Sequence, residues 1–343
     1  MNENIKIHLS KYPRTRYMGS KQKLLEFIYH NIKDLEGDKV LDAFGGSGAV
    51  SYLFKSMGKQ VHTNDFLKYS HMLSKAVIEN NQQKLTLRDI DILLSPNSKD
   101  LFVSDNFKGL YFSDEENKLI DQIYNNASNL SELKKSLALS ALARACIKKR
   151  PRGIFTYVGD RYDDGRRDLR ISLKEQFLES VETLNNAIFN NNKKNKSFNK
   201  DIFKLKNNDY DIVYIDPPYC SLYSDNDYSR RYHFVEGLMT KWAHVKINEN
   251  TKTKKFNKFK TPFDSKLTVY QAFDELFSKF KNSTLIISYS SNSLPTFEEM
   301  IQILKKYKKN VEVKKFSHRY SFGNQRNGIK NNDVDEYLFI AKD

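Results

Sequence analysis

The chain has 343 residues, enough for one large domain with an insertion, and its 57 Lys and Arg outnumber its 42 Asp and Glu, a formal charge of +15. This charge predicts a polyanionic partner, unless it only reflects a genome biased towards Lys and Asn. The chain has two cysteines, no Cys/His cluster with zinc-ligand spacing, no apolar stretch of membrane-spanning length and no apolar signal core. We therefore expect a cytoplasmic protein without a disulfide framework, a metal or a membrane span.

The first predicted helix follows the motif Arg16-Tyr17-Met18-Gly19-Ser20-Lys21. Ser20 is a candidate N-cap, and a helix start with free N–H groups can hold an anion such as a carboxylate. An ordinary capped surface helix is the alternative. The apolar residues that define the helix face are Leu24, Leu25, Phe27, Ile28 and Ile32.

A glycine-rich turn, Gly45-Gly46-Ser47-Gly48, connects a predicted strand over 39–44 to a predicted helix over 49–57. Missing Cβ atoms let the backbone approach a ligand closely. The turn lacks the Gly-Lys-Ser/Thr of a Walker loop and is not the full dinucleotide fingerprint. It indicates either a nucleotide-like ligand or a tight connection between strand and helix.

The second predicted strand, 60–65, ends in the acid Asp65. In Rossmann-like folds an acid at this position binds ribose hydroxyls. The alternative is that Asp65 caps the helix that begins near Lys68. Both roles can hold together, and we favour the ribose role because the glycine-rich turn precedes this strand.

Residues 82–195 interrupt the α/β pattern with helices predicted over 85–94, 115–124 and 130–147. Basic residues alternate with aromatic ones after the last helix, a pattern that suits phosphate contact and base stacking, although a solvated loop would also explain it. We predict that 82–195 is an inserted target-recognition region and that 1–81 and 196–343 form the catalytic domain. The candidate DNA-contacting residues here are Arg150, Arg152, Arg161, Arg166 and Arg167.

The fourth predicted strand is an apolar, β-branched run that ends in Asp216-Pro217-Pro218-Tyr219. It follows a short third strand over 197–203 with Asp201 near its end. The prolines cannot donate ladder hydrogen bonds, so the fourth strand must stop before them. Because ligands bind at the carboxyl ends of strands in open α/β sheets, Asp216 and Tyr219 are candidate site residues.

A second basic and aromatic segment follows over 228–260, around a predicted helix at 234–242. Strands predicted over 284–289, 311–316 and 336–341 complete the sheet, the last two as an antiparallel edge pair. The candidate DNA-contacting residues of this segment are Arg230, Arg231, Lys254, Lys255 and Lys258.

In this order the motifs resemble the DNA adenine-N6 methyltransferases of the D12 class, with the Dam-like order of the α group. The resemblance rests on 16–21, 42–48, Asn64-Asp65 and 216–219, and covers most of the chain. Residues 228–233 and 285–292 are similar to members that modify asymmetric sites in type IIS restriction systems. The resemblance implies a Rossmann-like α/β sheet of about seven strands with an antiparallel last strand, and a mainly helical insertion.

The resemblance also implies S-adenosylmethionine as the methyl donor. Lys21 would lie near the donor's carboxylate, Asp65 would accept from its ribose, and Asp201 with Ile202 would lie at its adenine ring. Tyr17 replaces the Trp of the best-known relatives, and Ser20 replaces a Gly. The implied donor-binding residues are Tyr17, Met18, Lys21, Asp42, Phe44, Gly46, Gly48, Asp65, Asp201, Ile202 and Asp216.

The tetrapeptide suits the chemistry that the resemblance implies, because the adenine N6 lone pair is delocalised into the ring and is a poor nucleophile. The Asp216 carboxylate and the Pro217 carbonyl would accept the two N6 hydrogens and localise that lone pair. Pro218 would fix the backbone, and Tyr219 would stack on the target base. We therefore expect all four residues, Asp216, Pro217, Pro218 and Tyr219, to be catalytic.

The target atom is buried in a duplex, so the base must be flipped out of double-stranded DNA. A functionally linked restriction endonuclease, not bound to this chain, is implied as well. The alternatives are an RNA or protein amino-methyltransferase, a cytosine-N4 methyltransferase, which usually carries Ser at the position of Asp216, and a non-catalytic DNA-binding module.

Overall fold

Seven strands form one mixed sheet in the computed structural model of the chain. The structure describes residues 1–14, 16–155, 163, 165–221, 227–319 and 333–343. The strands are β1 (Lys39–Asp42), β2 (Gln60–Asn64), β3 (Lys196–Phe198), β4 (Ile212–Ile215), β5 (Cys220–Ser221), β6 (Thr284–Ser290), β7 (Ser293–Leu294), β8 (Asn310–Arg319) and β9 (Asp333–Lys342). The sheet order is β3-β2-β1-β4-β6-β9-β8, and β5 and β7 form a separate antiparallel pair. The pairs β1–β4, β2–β3 and β4–β6 are parallel, whereas β9 runs antiparallel to β6 and β8. The predicted α/β sheet with an antiparallel end is therefore confirmed.

Helices fill the connections between the strands. Four of them begin with a capping box, in which a Ser or Thr side chain and an acid three residues later bond each other's backbone N–H groups. The helices are α1 (Glu3–Lys11), α2 (Leu25–Ile32), α3 (Ala49–Ser56), α4 (Lys68–Ser74), α5 (Leu87–Leu93), α6 (Phe102–Asn106), α7 (Asp114–Ala127), α8 (Glu132–Lys149), α9 (Arg167–Arg170), α10 (Leu173–Ala187), α11 (Tyr228–Arg231), α12 (His233–Leu238), α13 (Val269–Lys279) and α14 (Phe297–Lys305).

The chain divides into two compact units. The first comprises residues 1–23, 45–199 and 227–259, and the second comprises 24–44, 200–226 and 260–343. The helices of the predicted insertion, 82–195, belong to the first unit together with the glycine-rich turn. The assignment of 82–195 to target recognition stays a prediction.

The first unit is built around α8, which packs against α4, α7 and α10. The side chains of Ala138, Ala141 and Ala145 are fully buried, and their small size lets neighbouring helices approach closely. Trp242, the single tryptophan, packs against α12, where a Cβ atom on Gly237 would come within 2.1 Å of the indole Nε1. The Trp242 ring also stacks on Phe102 at 5.1 Å.

In the second unit β4 lies between β1 and β6, and all four of its residues are buried, as expected for a parallel strand covered on both faces. The Asp211 carboxylate accepts hydrogen bonds from the backbone N–H groups of Asp38 and Lys39, both at 2.8 Å, and so fixes the start of β1. Among the residues that the structure describes, no helix is both long and apolar enough to cross a membrane.

Candidate active site

The glycine-rich turn is held tightly against the end of β2 within the first unit. The Gly45 N–H donates to the Asn64 carbonyl at 2.8 Å, and the Gly48 N–H closes the turn on the Gly45 carbonyl at 2.7 Å. Gly48 has φ +73°, and a Cβ there would lie 2.5 Å from the Tyr12 hydroxyl oxygen. Side chains would both strain this backbone and collide with its surroundings, which explains the glycines.

Asp65 follows β2 and is 8% exposed. Its Oδ2 accepts from the Gly46 N–H at 2.7 Å, and its Oδ1 accepts from the Leu67 N–H at 2.8 Å. Burial raises the pKa of Asp65 to about 6, although both N–H groups act in the opposite direction. The carboxylate therefore joins the glycine-rich turn to the loop before α4.

The alternative explanation for Asp65 was that it caps α4, but Asp65 does not occupy the N-cap position of this helix. That position is taken by Leu67. The free N–H groups of Lys68 and Tyr69 instead donate to the carboxylate of Glu236, at 2.8 and 2.9 Å. Burial raises the pKa of Glu236 to about 7, and the negative charge of Asp65 contributes to this rise.

The segment with Tyr17 and Met18 is fixed by Tyr232, the residue just before α12. The rings of Tyr17 and Tyr232 stack in parallel at 5.0 Å. The Tyr232 hydroxyl accepts from the Met18 N–H at 2.6 Å and donates to the Arg16 carbonyl at 3.2 Å. Desolvation and the charge of Asp65 raise the pKa of Tyr17 well above its usual value. Tyr17, Met18 and Asp65 thus belong to one cluster of the first unit.

The predicted helix start at Ser20 is a short 3-10 turn, Lys21–Leu24, that precedes α2. The Ser20 Oγ accepts weakly from the Gln22 N–H at 3.4 Å and lies 2.9 Å from the Ser47 Oγ of the glycine-rich turn. Lys21 is buried, and its ammonium donates to the Gly19 carbonyl at 3.4 Å. The cation therefore lies beside the segment predicted to bind the donor.

The second unit holds the remaining residues predicted to bind the donor. Asp42 is buried at the end of β1, where it pairs in register with Tyr214 of β4. The Phe44 ring meets Phe263 edge to face at 5.2 Å, and Phe263 stacks on Phe203 at 5.9 Å. These rings form an apolar cluster beyond the end of β1.

Asp201 and Ile202 lie at the start of a 3-10 turn, Ile202–Lys204. The Asp201 carboxylate accepts from the Phe203 N–H at 3.0 Å, and the Ile202 side chain is buried. An acid and an apolar side chain are therefore adjacent, as an adenine site requires. The second oxygen of Asp201 remains for a donor such as an exocyclic amine.

The tetrapeptide Asp216-Pro217-Pro218-Tyr219 begins where β4 ends. The Tyr219 hydroxyl donates to the Asp216 Oδ1 at 2.8 Å, and the Tyr219 ring meets Tyr289 edge to face at 5.4 Å. Burial and the nearby carboxylates of Asp216, Asp42 and Glu336 raise the pKa of Tyr214 well above its usual value. Because β1 and β4 are parallel neighbours, Asp42 and Asp216 lie at the same edge of the sheet.

The predicted DNA-contacting residues before α10 differ in exposure. Arg150 is 4% exposed, its Nη1 donates to the Tyr111 carbonyl at 2.8 Å and its guanidinium covers the Tyr111 ring at 5.1 Å. Arg150 therefore stabilises the fold here and is not available to a phosphate, which corrects its place in the predicted set. Arg152 and Arg167 are exposed, Arg166 is half-buried, and Arg161 lies outside the described residues.

Within the second predicted DNA segment, Arg230, Arg231 and Lys255 form a basic cluster in the first unit. Arg230 is exposed and pairs with Asp227, while Arg231, Lys254 and Lys258 are half-buried. Desolvation lowers the pKa of Lys255, and the positive charges of Arg230 and Arg231 lower it further. Like charges held this close favour the binding of an anion.

Three residues of the candidate site were missed in the sequence. Glu236 and Tyr232 act on partners more than 160 residues away, so no local pattern reveals them. Phe66, next to Asp65, is 49% exposed, and its ring lies edge to face with Phe259 at 5.7 Å. The sequence signal for Phe66 was its position directly after Asp65, the acid predicted to bind ribose hydroxyls.

Comparisons with known proteins point to one family. The chain is 29% identical to the type II methyltransferase M2.HphI of Haemophilus parahaemolyticus, across 97% of this chain and 98% of the relative. It is 28% identical to the modification methylase StsI of Streptococcus sanguinis and 29% identical to the type II methyltransferase M.FokI of Planomicrobium okeanokoites. Those matches cover 95% and 96% of this chain, but only 52% and 53% of the relatives.

The family model for the D12 class N6 adenine-specific DNA methyltransferases matches residues 17–286. That span begins at Tyr17 and contains the glycine-rich turn, Asp65 and the tetrapeptide that starts at Asp216. The chain belongs to the D12 class of N6 adenine-specific DNA methyltransferases.

Proposed function

We propose that this chain transfers a methyl group from S-adenosylmethionine to the N6 amine of an adenine flipped out of duplex DNA. We further propose that it is the modification component of a restriction-modification system, acting in the bacterial cytoplasm, where the DNA is. The observation that carries the proposal is the Asp216 carboxylate, held by the Tyr219 hydroxyl at the end of buried β4.

The residues of the chain fit the proposed donor. Gly46, the half-buried residue of the glycine-rich turn, has no side chain that would keep a ligand from its backbone, and Lys21 provides a cation for a carboxylate. Asp65 retains lone pairs for ribose hydroxyls, while Phe66 offers an exposed ring beside it. When bound, S-adenosylmethionine supplies an electrophilic methyl group on a sulfonium sulfur.

The catalytic role proposed for the tetrapeptide is to prepare the nucleophile. The Asp216 carboxylate accepts one N6 hydrogen and the Pro217 carbonyl accepts the other, which draws the nitrogen lone pair out of ring conjugation. Pro218 restricts the backbone that carries the carbonyl, and the Tyr219 ring stacks on the base. Such preorganised acceptors lower the barrier without having to reorganise during the reaction.

The basic cluster, Arg230, Arg231 and Lys255, supplies phosphate contacts in this proposal. Arg152, Arg166 and Arg167 belong to the candidate recognition region, 82–195. Contacts to phosphates would hold the duplex while the base is turned out of the stack.

The proposal is tested by transfer of labelled methyl from S-adenosylmethionine to duplex DNA, tRNA and rRNA in parallel. We expect label only in DNA, recovered as N6-methyladenine at one sequence context. Label recovered only in RNA, or as N4-methylcytosine, would overturn the proposal. Mapping the modified adenines in DNA from expressing cells then gives the recognition sequence.

A further inference from the structure

A second candidate binding site lies within the first unit, in a cavity of about 210 Å³. Its walls come from residues 13, 14 and 16, from α4, from the C-terminal half of α8 and from α9. The cavity is lined by one acid, Asp168, and by four cationic side chains: Arg14, Arg16, Arg144 and Lys148.

The acid of this cavity already serves two of the cations. Asp168 Oδ2 lies 2.8 Å from the Arg16 Nη2, and its Oδ1 lies 3.3 Å from the Lys148 Nζ. Lys148 also contacts Glu179, at 3.3 Å. One carboxylate shared in this way leaves a local excess of positive charge in the cavity.

Arg144 accounts for much of that excess. Its Nη1 donates to the Ser180 hydroxyl at 3.3 Å, and its Nε is buried without a hydrogen-bond partner in the described part of the chain. Among those residues no carboxylate lies within 4 Å of its guanidinium. Burial lowers the pKa of Arg144, but a guanidinium stays charged at neutral pH. The Asp168 and Glu179 carboxylates act on Arg144 only from beyond 4 Å. A half-buried charge that is compensated only at this distance costs stability that an anionic ligand would recover.

We propose that this cavity binds a phosphate group, and that DNA supplies it from the sugar-phosphate backbone; the latter point rests on the proposed function. The planar fork of an arginine matches the oxygens of a phosphate, and Lys148 and Arg14 add charge around it. The cavity borders the segment that leads into Tyr17, so a phosphate bound there sets the position of the duplex relative to the first unit's donor-binding cluster.

The first test measures thermal stability. The thermal midpoint of the wild-type chain is compared in phosphate and in chloride at matched ionic strength. Phosphate is expected to raise the midpoint, because a ligand of the folded state stabilises it. The Arg144→Gln variant is expected to lose this difference, and the Lys118→Gln variant, which removes an exposed cation of α7, is expected to keep it.

The second test measures binding of a fluorescent duplex over a series of salt concentrations, without methyl transfer. The Arg144→Gln variant is expected to weaken binding several-fold at all sequences, and to reduce the slope of log Kd against log salt by about 0.9, the value of one phosphate contact. Lys118→Gln is expected to leave the affinity unchanged. The Arg144→Lys variant keeps the positive charge and is expected to retain part of the affinity that Arg144→Gln loses.

The outcomes separate the sources of the phosphate. If phosphate raises the thermal midpoint of the wild type but the Arg144→Gln variant binds DNA normally, the cavity binds a free phosphate and the proposed DNA contact is overturned. No phosphate effect in the wild type, together with an unchanged salt slope in the variant, would overturn the proposal entirely. Methyl transfer by the wild type is measured separately, so failure of the proposed reaction is not confused with failure of this site.

Discussion

At the scale of single residues, the Asp216 carboxylate and the Tyr219 hydroxyl form the most informative contact, with a separation of 2.8 Å. The hydrogen bond satisfies one carboxylate oxygen and fixes its orientation before any base is present. The carboxylate therefore does not have to be reoriented when a base arrives, which is the condition for preorganised catalysis.

Replacing Asp216 by Ala is expected to abolish methyl transfer while DNA binding survives. Loss of one preorganised group of this kind lowers kcat about 10²- to 10³-fold, and here it also removes the acceptor for the N6 hydrogen. Single-turnover transfer and duplex binding are the two measurements. A variant with wild-type transfer would show that the carboxylate is not the acceptor.

Donor affinity is expected to depend on pH through Asp65 and Glu236. Burial raises the pKa of the two carboxyls to about 6 and about 7, so both are charged above pH 7 and become protonated as pH falls through these values. The charged forms accept the hydrogen bonds, and their loss is expected to weaken donor binding about tenfold or more. The two groups interact, so the observed steps belong to the pair.

Calorimetric titration with S-adenosylhomocysteine between pH 5 and 8.5 measures this dependence. The Glu236→Gln variant is expected to retain only the step near pH 6. An affinity that does not change with pH in the wild type would contradict the assignment of these carboxylates to donor binding.

At the scale of elements, α12 and the tyrosine before it connect two parts of the cluster that contains Tyr17, Met18 and Asp65. Tyr232 bonds the backbone of Arg16 and Met18, and Glu236, one turn later on the same face, bonds the start of α4. The basic residues Arg230 and Arg231 immediately precede this helix. The end of α11 and the start of α12 thus bring residues predicted to contact DNA next to residues that fix the segment around Tyr17 and the start of α4.

Tyr232→Phe and Glu236→Gln are expected to raise the KM for the donor with little change in the affinity for DNA. The tyrosine change removes a hydroxyl that makes two hydrogen bonds, a loss of about 1 kcal/mol or roughly fivefold in KM. Tyr124→Phe, on α7 of the same unit, is the matched control. Equal losses of donor and DNA binding would indicate a general loss of structure instead.

Some elements and site residues could be predicted from local sequence patterns, and others could not. Local signals predicted β4, the turn at Gly45–Gly48 and the acid Asp65, because strand composition, glycine and proline act on their immediate neighbours. Glu236 could not be found in this way, since its partners at Lys68 and Tyr69 are brought near only by the tertiary fold. Arg150 was misjudged for the same reason: its basic neighbours resemble an exposed patch, whereas tertiary packing buries it.

At the scale of the whole molecule, the formal charge of +15 includes a group of basic residues close together in the sequence. Lys254, Lys255 and Lys258 lie with Arg230 and Arg231 in one continuous part of the first unit, 227–259. Charge placed in this way attracts DNA irrespective of its sequence and makes binding sensitive to salt.

Changing Lys254, Lys255 and Lys258 together to Ala is expected to weaken DNA binding equally at all sequences. The slope of log Kd against log salt should fall by up to about 2.7, or about 0.9 for each phosphate that is no longer neutralised. Replacement of Lys6, Lys281 and Lys309, which are exposed elsewhere, is the control. A loss restricted to one sequence would make this segment a reader of bases rather than of phosphates.

The packing of Trp242 against Gly237 gives the molecule an internal fluorescent probe. The chain has no other tryptophan, and this one is 4% exposed and lies in van der Waals contact with the helix that follows Tyr232. Any movement of α12 when DNA or donor binds would alter the surroundings of the indole. Its emission, and its quenching by acrylamide, would therefore report the state of this helix in the unmodified protein, without a label.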